Sequence, residues 1–154
     1  MKTFSRAKLL MLGVLSVLAV ACGGPVVRVA LSSNANLNLG QDQKPLPVVV
    51  RVYQLSGKDS FENSKFEEIW KDDLKVLGDS LLTSKEVVIN PSDQMSVEID
   101  KHDQAKYVGV VAIFRNPVDK KWRDVHELAN GFVTGRFSSS FRVSLVGNTI
   151  SIQD

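Results

Sequence analysis

Residues 47–55 read PVVVRVYQL, a near-continuous β-branched run that marks a central strand. Its counterpart is 107–115, YVGVVAIFR, apolar at successive positions and therefore in need of cover on both faces. Working outward, alternation places Val27, Val29 and Leu31 on one face of a first strand at 26–31. Residues 85–89 and 94–100 read as a strand pair around the turn Asn90-Pro91-Ser92-Asp93, with Met95, Val97 and Ile99 facing inward. A weaker strand covers 122–128 and is broken by Asn130-Gly131. Phe137, Ser139, Phe141, Val143 and Leu145 then share a buried phase, and Gly147-Asn148 turns the chain into a last strand at 149–152.

Between Lys58 and Gly78 the period changes to that of a helix. Phe66, Ile69, Trp70, Leu74 and Leu77 fall on one stripe, with Glu62, Glu67, Glu68, Asp72 and Asp73 largely off it. Ser64 and Glu67 have capping-box spacing, Ser60 is an earlier candidate N-cap, and Gly78 suits a C-terminus. The stripe reads as a core face laid on a sheet. The fold class that follows is mainly β: an antiparallel sandwich of about eight strands with a short helical insert after strand two.

One connection is long. Residues 32–46 hold Asn34, Asn36, Asn38 and Asp42 with Gly40 and Pro45, a composition that favours turns over ladder pairing. Leu37 and Leu39 lie within it, either tucked back onto the body or offered to a partner. Loops of this length in compact domains are more often functional or disordered than incidental.

The N-terminal segment is a leader. Lys2, Arg6 and Lys8 precede an apolar run from Leu9 to Val20 that is short for a membrane span, and Leu18-Ala19-Val20-Ala21-Cys22 places a thiol directly after a small-residue cleavage site. Cleavage after residue 21 with acylation of Cys22 fits this arrangement. Ala19 and Ala21 would also serve an ordinary signal peptidase. Cys22 is the chain's single cysteine, so it has no intramolecular disulfide partner. Residues 22–25 then form a short tether and 26–154 a single domain. The leader carries three of the 19 basic residues and none of the 17 acidic ones, leaving 16 cations against 17 anions, a net −1. Such a balance provides no basic field for nucleic acid.

Chemistry-bearing motifs are sparse. His126-Glu127 begins an H-E-x-x-H pattern, but Asn130 stands where the second histidine belongs, and the segment reads as strand. Asp100, His102 and Asp103 cluster on a connection that reads as solvated. Lys120, Lys121 and Arg123 read as a wet hairpin tip. No metal site, no cofactor and no enzymatic activity is expected from these patterns.

Taken together, Asn34 to Asn38, PVVVRVYQL, the Phe66/Ile69/Trp70/Leu74/Leu77-Gly78 stripe, Pro91, YVGVVAIFR and Trp122-Arg123 resemble the outer-membrane lipoproteins of type VI secretion, the TssJ (SciN) family. The resemblance implies a transthyretin-like sandwich anchored through Cys22 to the periplasmic face of the outer membrane. It also implies binding to the periplasmic C-terminal region of the inner-membrane protein TssM, within a membrane complex that includes TssL. The family's docking loop corresponds to Asn34, Ala35, Asn36, Leu37, Asn38, Leu39, Gly40, Gln41, Asp42, Gln43, Lys44 and Pro45. Beside the resemblance, the usual anatomy of an interface makes Leu37 and Leu39 the expected apolar anchors inside a polar rim. Gly23 after Cys22 agrees with the family's outer-membrane destination. The other readings are a lipoprotein carrying a small apolar ligand within its sandwich and, more remotely, an envelope hydrolase using Asp100 or His102.

Overall fold

The structure is a computed structural model that describes residues 23–129 and 137–153. The leader, Cys22 and the Asn130-Gly131 break lie outside the described residues. Eight strands are described: β1 Val26–Ser33, β2 Val48–Leu55, β3 Leu81–Ile89, β4 Gln94–Asp100, β5 Tyr107–Ala112, β6 Arg123–Glu127, β7 Ser139–Val146 and β8 Thr149–Gln153. Helices α1, Asp59–Asn63, and α2, Phe66–Leu77, follow β2. The strands form two four-stranded sheets, in the orders β4-β1-β7-β8 and β3-β2-β5-β6.

Alternation assigns the faces. Val27, Val29 and Leu31 of β1 are buried, as are Val97, Val143, Leu145 and Ile150 from the other strands of that sheet. They meet Val48, Val50 and Val52 of β2 with Val108, Val110 and Ala112 of β5, all fully enclosed or nearly so. Each such side chain removed from water contributes about 1.5–3 kcal/mol before chain entropy is charged against it. The opposite face of β2 and β5 is roofed by the helices. Phe61 of α1 lies so close to Gly109 that a Cβ there would stand 3.0 Å from two atoms of the ring. Thus β2 and β5 are central strands covered on both sides, as their composition requires.

Three local expectations change. The segments 85–89 and 94–100 are not a hairpin pair: β3 pairs with β2, and β4 pairs with β1 in the other sheet. The 90–93 turn is an arch between sheets, pinned at the end of β1 by Ser33, whose hydroxyl donates to Asn90 O (2.6 Å) and accepts from the Asp93 amide (3.0 Å). One pairing, β1 with β7, is parallel; the other five are antiparallel.

The second change is in α2. Ile69 and Leu77 are buried, but Trp70 is 48% and Leu74 70% exposed, so two of the five residues of the anticipated stripe face solvent. Asp73 takes the middle of the inward face instead. Its Oδ2 accepts the Tyr53 hydroxyl at 2.8 Å and an Arg51 N–H at 3.4 Å. Burial and then the Asp73 carboxylate push the Tyr53 phenol well above its ordinary range. Burial alone would lower the Arg51 guanidinium, but hydrogen bonds to Glu86 and Tyr53 outweigh it and the net shift is upward.

The third change concerns the caps. Glu68, not Glu67, reaches back to the helix entry, accepting the Lys65 N–H at 3.1 Å. Ser60 lies inside α1, while Ser64 is buried and donates to Phe61 O at 2.8 Å. Gly78 ends α2 at φ 50°, a conformation that costs glycine little. Phe137 lies outside β7 and is exposed.

Candidate functional site

The loop at 34–47 belongs to one end of the sandwich and is built by its asparagines. Asn34 Oδ1 accepts the Gly147 amide at 3.1 Å, and its carbonyl accepts from Ser92 N at 3.2 Å, tying β1 to the β7–β8 turn and to the arch. Asn38 is buried with φ 49°, a left-handed conformation that asparagine adopts more readily than most residues. Its Nδ2 donates to Pro47 O (2.9 Å), its Oδ1 accepts Arg115 N–H (2.9 Å), and its amide donates to Gly147 O (2.9 Å). Four connections are therefore joined by two residues, through their side chains and backbone. Between Leu37 and Leu46 the loop closes on itself through Leu46 N to Leu37 O at 3.0 Å.

Leu37 is fully buried in the common core. It belongs to the fold and is withheld from any partner, contrary to its reading as a contact; Leu39 is half-buried. Burying Leu37 draws the loop down and lifts the remainder outward. Ala35, Asn36, Gln41, Asp42, Gln43, Lys44 and Pro45 are exposed, whereas Asn38 and Gly40 are buried. The tip is braced by Gly40 N to Lys44 O (3.0 Å) and Gln43 N to Gly40 O (3.1 Å). Asp42 and Lys44 lie 3.5 Å apart and leave the tip polar and nearly neutral.

Exposed apolar side chains at this end come from neighbouring connections. Val146, 53% exposed, precedes the turn that Asn34 and Asn38 hold; Val118, 46% exposed, follows Asn116, whose carbonyl accepts from Asn148 Nδ2 at 3.0 Å. Sequence reasoning overlooked both. The signal for Val146 was its phase, opposite to Val143 and Leu145. On the same surface the Asp93 carboxyl is held below the usual carboxylate range by the Gln94 amide and the Asn90 side chain.

The remaining candidates are structural. Arg123 donates to Ser64 O, Ser64 Oγ and the Glu62 carbonyl and stacks 4.5 Å from the Trp122 ring, so it locks the helical insert to β6. Burial lowers its guanidinium. It is not part of a wet tip. Asp100 and His102 are positioned by the buried Gln54, which donates to Asp100 O and accepts from His102 N, both at 2.8 Å. His102 Nδ1 accepts the Gln104 amide at 3.1 Å. These residues border an open groove of about 570 Å³ with Leu82, Thr83 and Ile99. His126 sits on β6 with its ring 5.1 Å from that of Phe141. Among the described residues no group of three or more His, Cys, Asp or Glu side chains is placed to hold a metal ion.

The two ends of the domain differ in kind. Pro25 and Val26 stand at one, the 34–47 loop at the other, and the eight residues of β1 span about 25 Å between them.

Comparison with known proteins adds the following. Residues 25–145 match the family model T6SS-SciN, described as type VI secretion lipoprotein, VasD, EvfM, TssJ, VC_A0113. Among solved structures, the chain is similar to the T6SS lipoprotein TssJ1 from Pseudomonas aeruginosa: 23% identity, TM-score 0.74, covering 85% of this chain and 96% of that one. It is likewise similar to Lip of Serratia marcescens, a membrane-bound component of the type VI secretion system, at 20% identity and TM-score 0.77, covering 86% and 98%. A chain in the structure named T6SS protein TssM C-terminal domain, from EAEC, matches at 22% identity and TM-score 0.70, covering 84% and 98%. At these identities the likeness is one of fold. No curated protein matches the chain.

Proposed function

The chain belongs to the type VI secretion lipoprotein family, and from that premise we propose that it is held by acyl chains on Cys22 at the periplasmic face of the outer membrane, where it binds the periplasmic C-terminal region of TssM. The leader at 1–21 is removed in this reading, and the domain acts as a scaffold in the membrane complex containing TssL. It has no catalytic role. Multiple acyl chains supply the stable attachment that a single chain does not.

The observation that carries the docking assignment is the loop's construction. Its exposed residues, Ala35, Asn36 and 41–45, are presented on a frame fixed by Leu37, Asn34 and Asn38, at the end opposite the tether. A preorganised loop loses little conformational freedom on binding, which favours affinity. The contact surface in this reading is the polar tip with Val118 and Val146 beside it, while Leu37 supports it from below. The structural likeness to a chain in the structure named T6SS protein TssM C-terminal domain supports the choice of partner.

The test is a calorimetric titration of the mature protein with the periplasmic C-terminal region of its cognate TssM. Beside it runs a variant carrying Asn36→Ser, Gln41→Ser, Gln43→Ser and Lys44→Ser, which spares every buried residue of the loop. Binding by the parent and its loss in the variant is the expected result. Equal affinity of the two would move the interface off the loop, and absence of binding by either would remove TssM as partner.

A further inference from the structure

The tether has almost no slack. The Lys101 amide donates to Pro25 O at 2.8 Å, and the Val26 amide donates to Ser138 Oγ at 3.0 Å, so the chain is already part of the fold at Pro25. Only Gly23 and Gly24 separate that residue from Cys22, and three residue steps reach at most about 11 Å. Phe137 lies beside this exit. Its carbonyl accepts from Lys101 Nζ at 3.2 Å, so one lysine holds both the tether and Phe137, and its side chain is 62% exposed.

A protein held this closely by lipid must rest its exit face on the bilayer. We propose that the end of the sandwich around Phe137 and Lys101 is seated on the phospholipid surface, with the Phe137 ring in the interfacial layer. The proposal rests on the acylation of Cys22 argued above and adds the surface that meets the lipid. Interfacial burial of an apolar side chain reaches about 5–10 Å into the headgroup boundary, within the span the tether permits. Among the described residues Lys101 and Lys106 are offset nearby by Asp100 and Asp103. The aromatic ring, not charge, makes the contact, and the seating is independent of anionic lipid.

The experiment uses the full-length precursor, processed and acylated in cells, purified and reconstituted in phosphatidylcholine–phosphatidylethanolamine vesicles. A nitroxide is attached at Phe137→Cys in one sample and Val146→Cys in another; both positions are exposed, and circular dichroism checks the fold. Collision rates with oxygen and with a water-soluble nickel chelate are compared. The expected result is a several-fold higher oxygen-to-nickel ratio at 137 than at 146, unchanged when phosphatidylglycerol is added. Equal, aqueous ratios at the two sites in vesicle-bound protein would overturn the seating and leave the lipid anchor standing. Labelling of Cys22 itself, with protein free of the vesicles, would overturn the anchor and the seating together.

Discussion

Asn38 Oδ1 accepts the amide hydrogen of Arg115 at 2.9 Å, joining two connections 77 residues apart in the chain. The other end of the same amide satisfies Pro47 O. Asn38→Ala takes the Asn38 side-chain partner from one part-buried donor, Arg115 N–H, and one part-buried acceptor, Pro47 O, and places alanine at a left-handed φ. The loss should be about 2–4 kcal/mol, read as a shift in urea midpoint at unchanged slope.

Leu37 and Gln41 are a buried and an exposed position within one loop. Leu37→Ser removes a fully buried side chain from the core and should cost about 3 kcal/mol or more. Gln41→Ser alters an exposed position and should stay within about 0.5 kcal/mol. Thermal melts of the two decide it. Equal stability would mean that the loop does not draw on the core.

In α2 the same comparison applies to neighbours. Ile69→Ala should lose about 2–4 kcal/mol, because Ile69 is wholly enclosed. Leu74→Ala should lie within about 0.5 kcal/mol of the parent, since it retains most of its exposure in the fold. Chemical denaturation of both variants checks the face assignment, and a large loss at Leu74 would reverse it.

Tyr53 makes stability pH-dependent on the alkaline side. Its phenol is raised in the fold by burial and the Asp73 carboxylate, while in the unfolded chain it ionises near pH 10. Above that pH the unfolded state loses a proton that the folded state retains, so the contribution is complete below about pH 10 and declines as pH rises further. Urea midpoints between pH 8 and 11.5 should fall more steeply for the parent than for Tyr53→Phe. Parallel profiles would remove Tyr53 as the source.

Much of this architecture was legible from β-branched runs and alternation. PVVVRVYQL announced a central strand and YVGVVAIFR one covered on both faces, and Val27, Val29 and Leu31 announced the phase of β1. Alternation states which side chains point inward but not which strand lies alongside, so the arch at 90–93 passed for a hairpin and the parallel β1–β7 pair had no signal. The helical stripe was displaced for a different reason. The inward positions of α2 are Phe66, Ile69, Asp73, Val76 and Leu77, and the helix is kinked within that run at Asp72, whose φ −155° and ψ 72° are not helical, so the two halves do not share one stripe. A hydrophobic pattern assigns Asp73 to solvent; only Tyr53 and Arg51, distant in sequence, show why it turns inward. Leu37 was ambiguous because a leucine in a polar loop serves equally as a root or as a contact. Its depth depends on the whole core, which no local window contains.

β1 runs directly from the tether to the loop and is paired along its length on both sides, to β4 and to β7. A pull between residue 22 and a partner gripping the loop therefore acts along the strand axis. In that geometry the flanking ladders are strained together and must slide as rows, unlike a peeled hairpin, whose pairs give way one after another. With the anchor and docking loop proposed above, the domain would resist traction between a membrane and whatever holds its far end, with β1 as the cable.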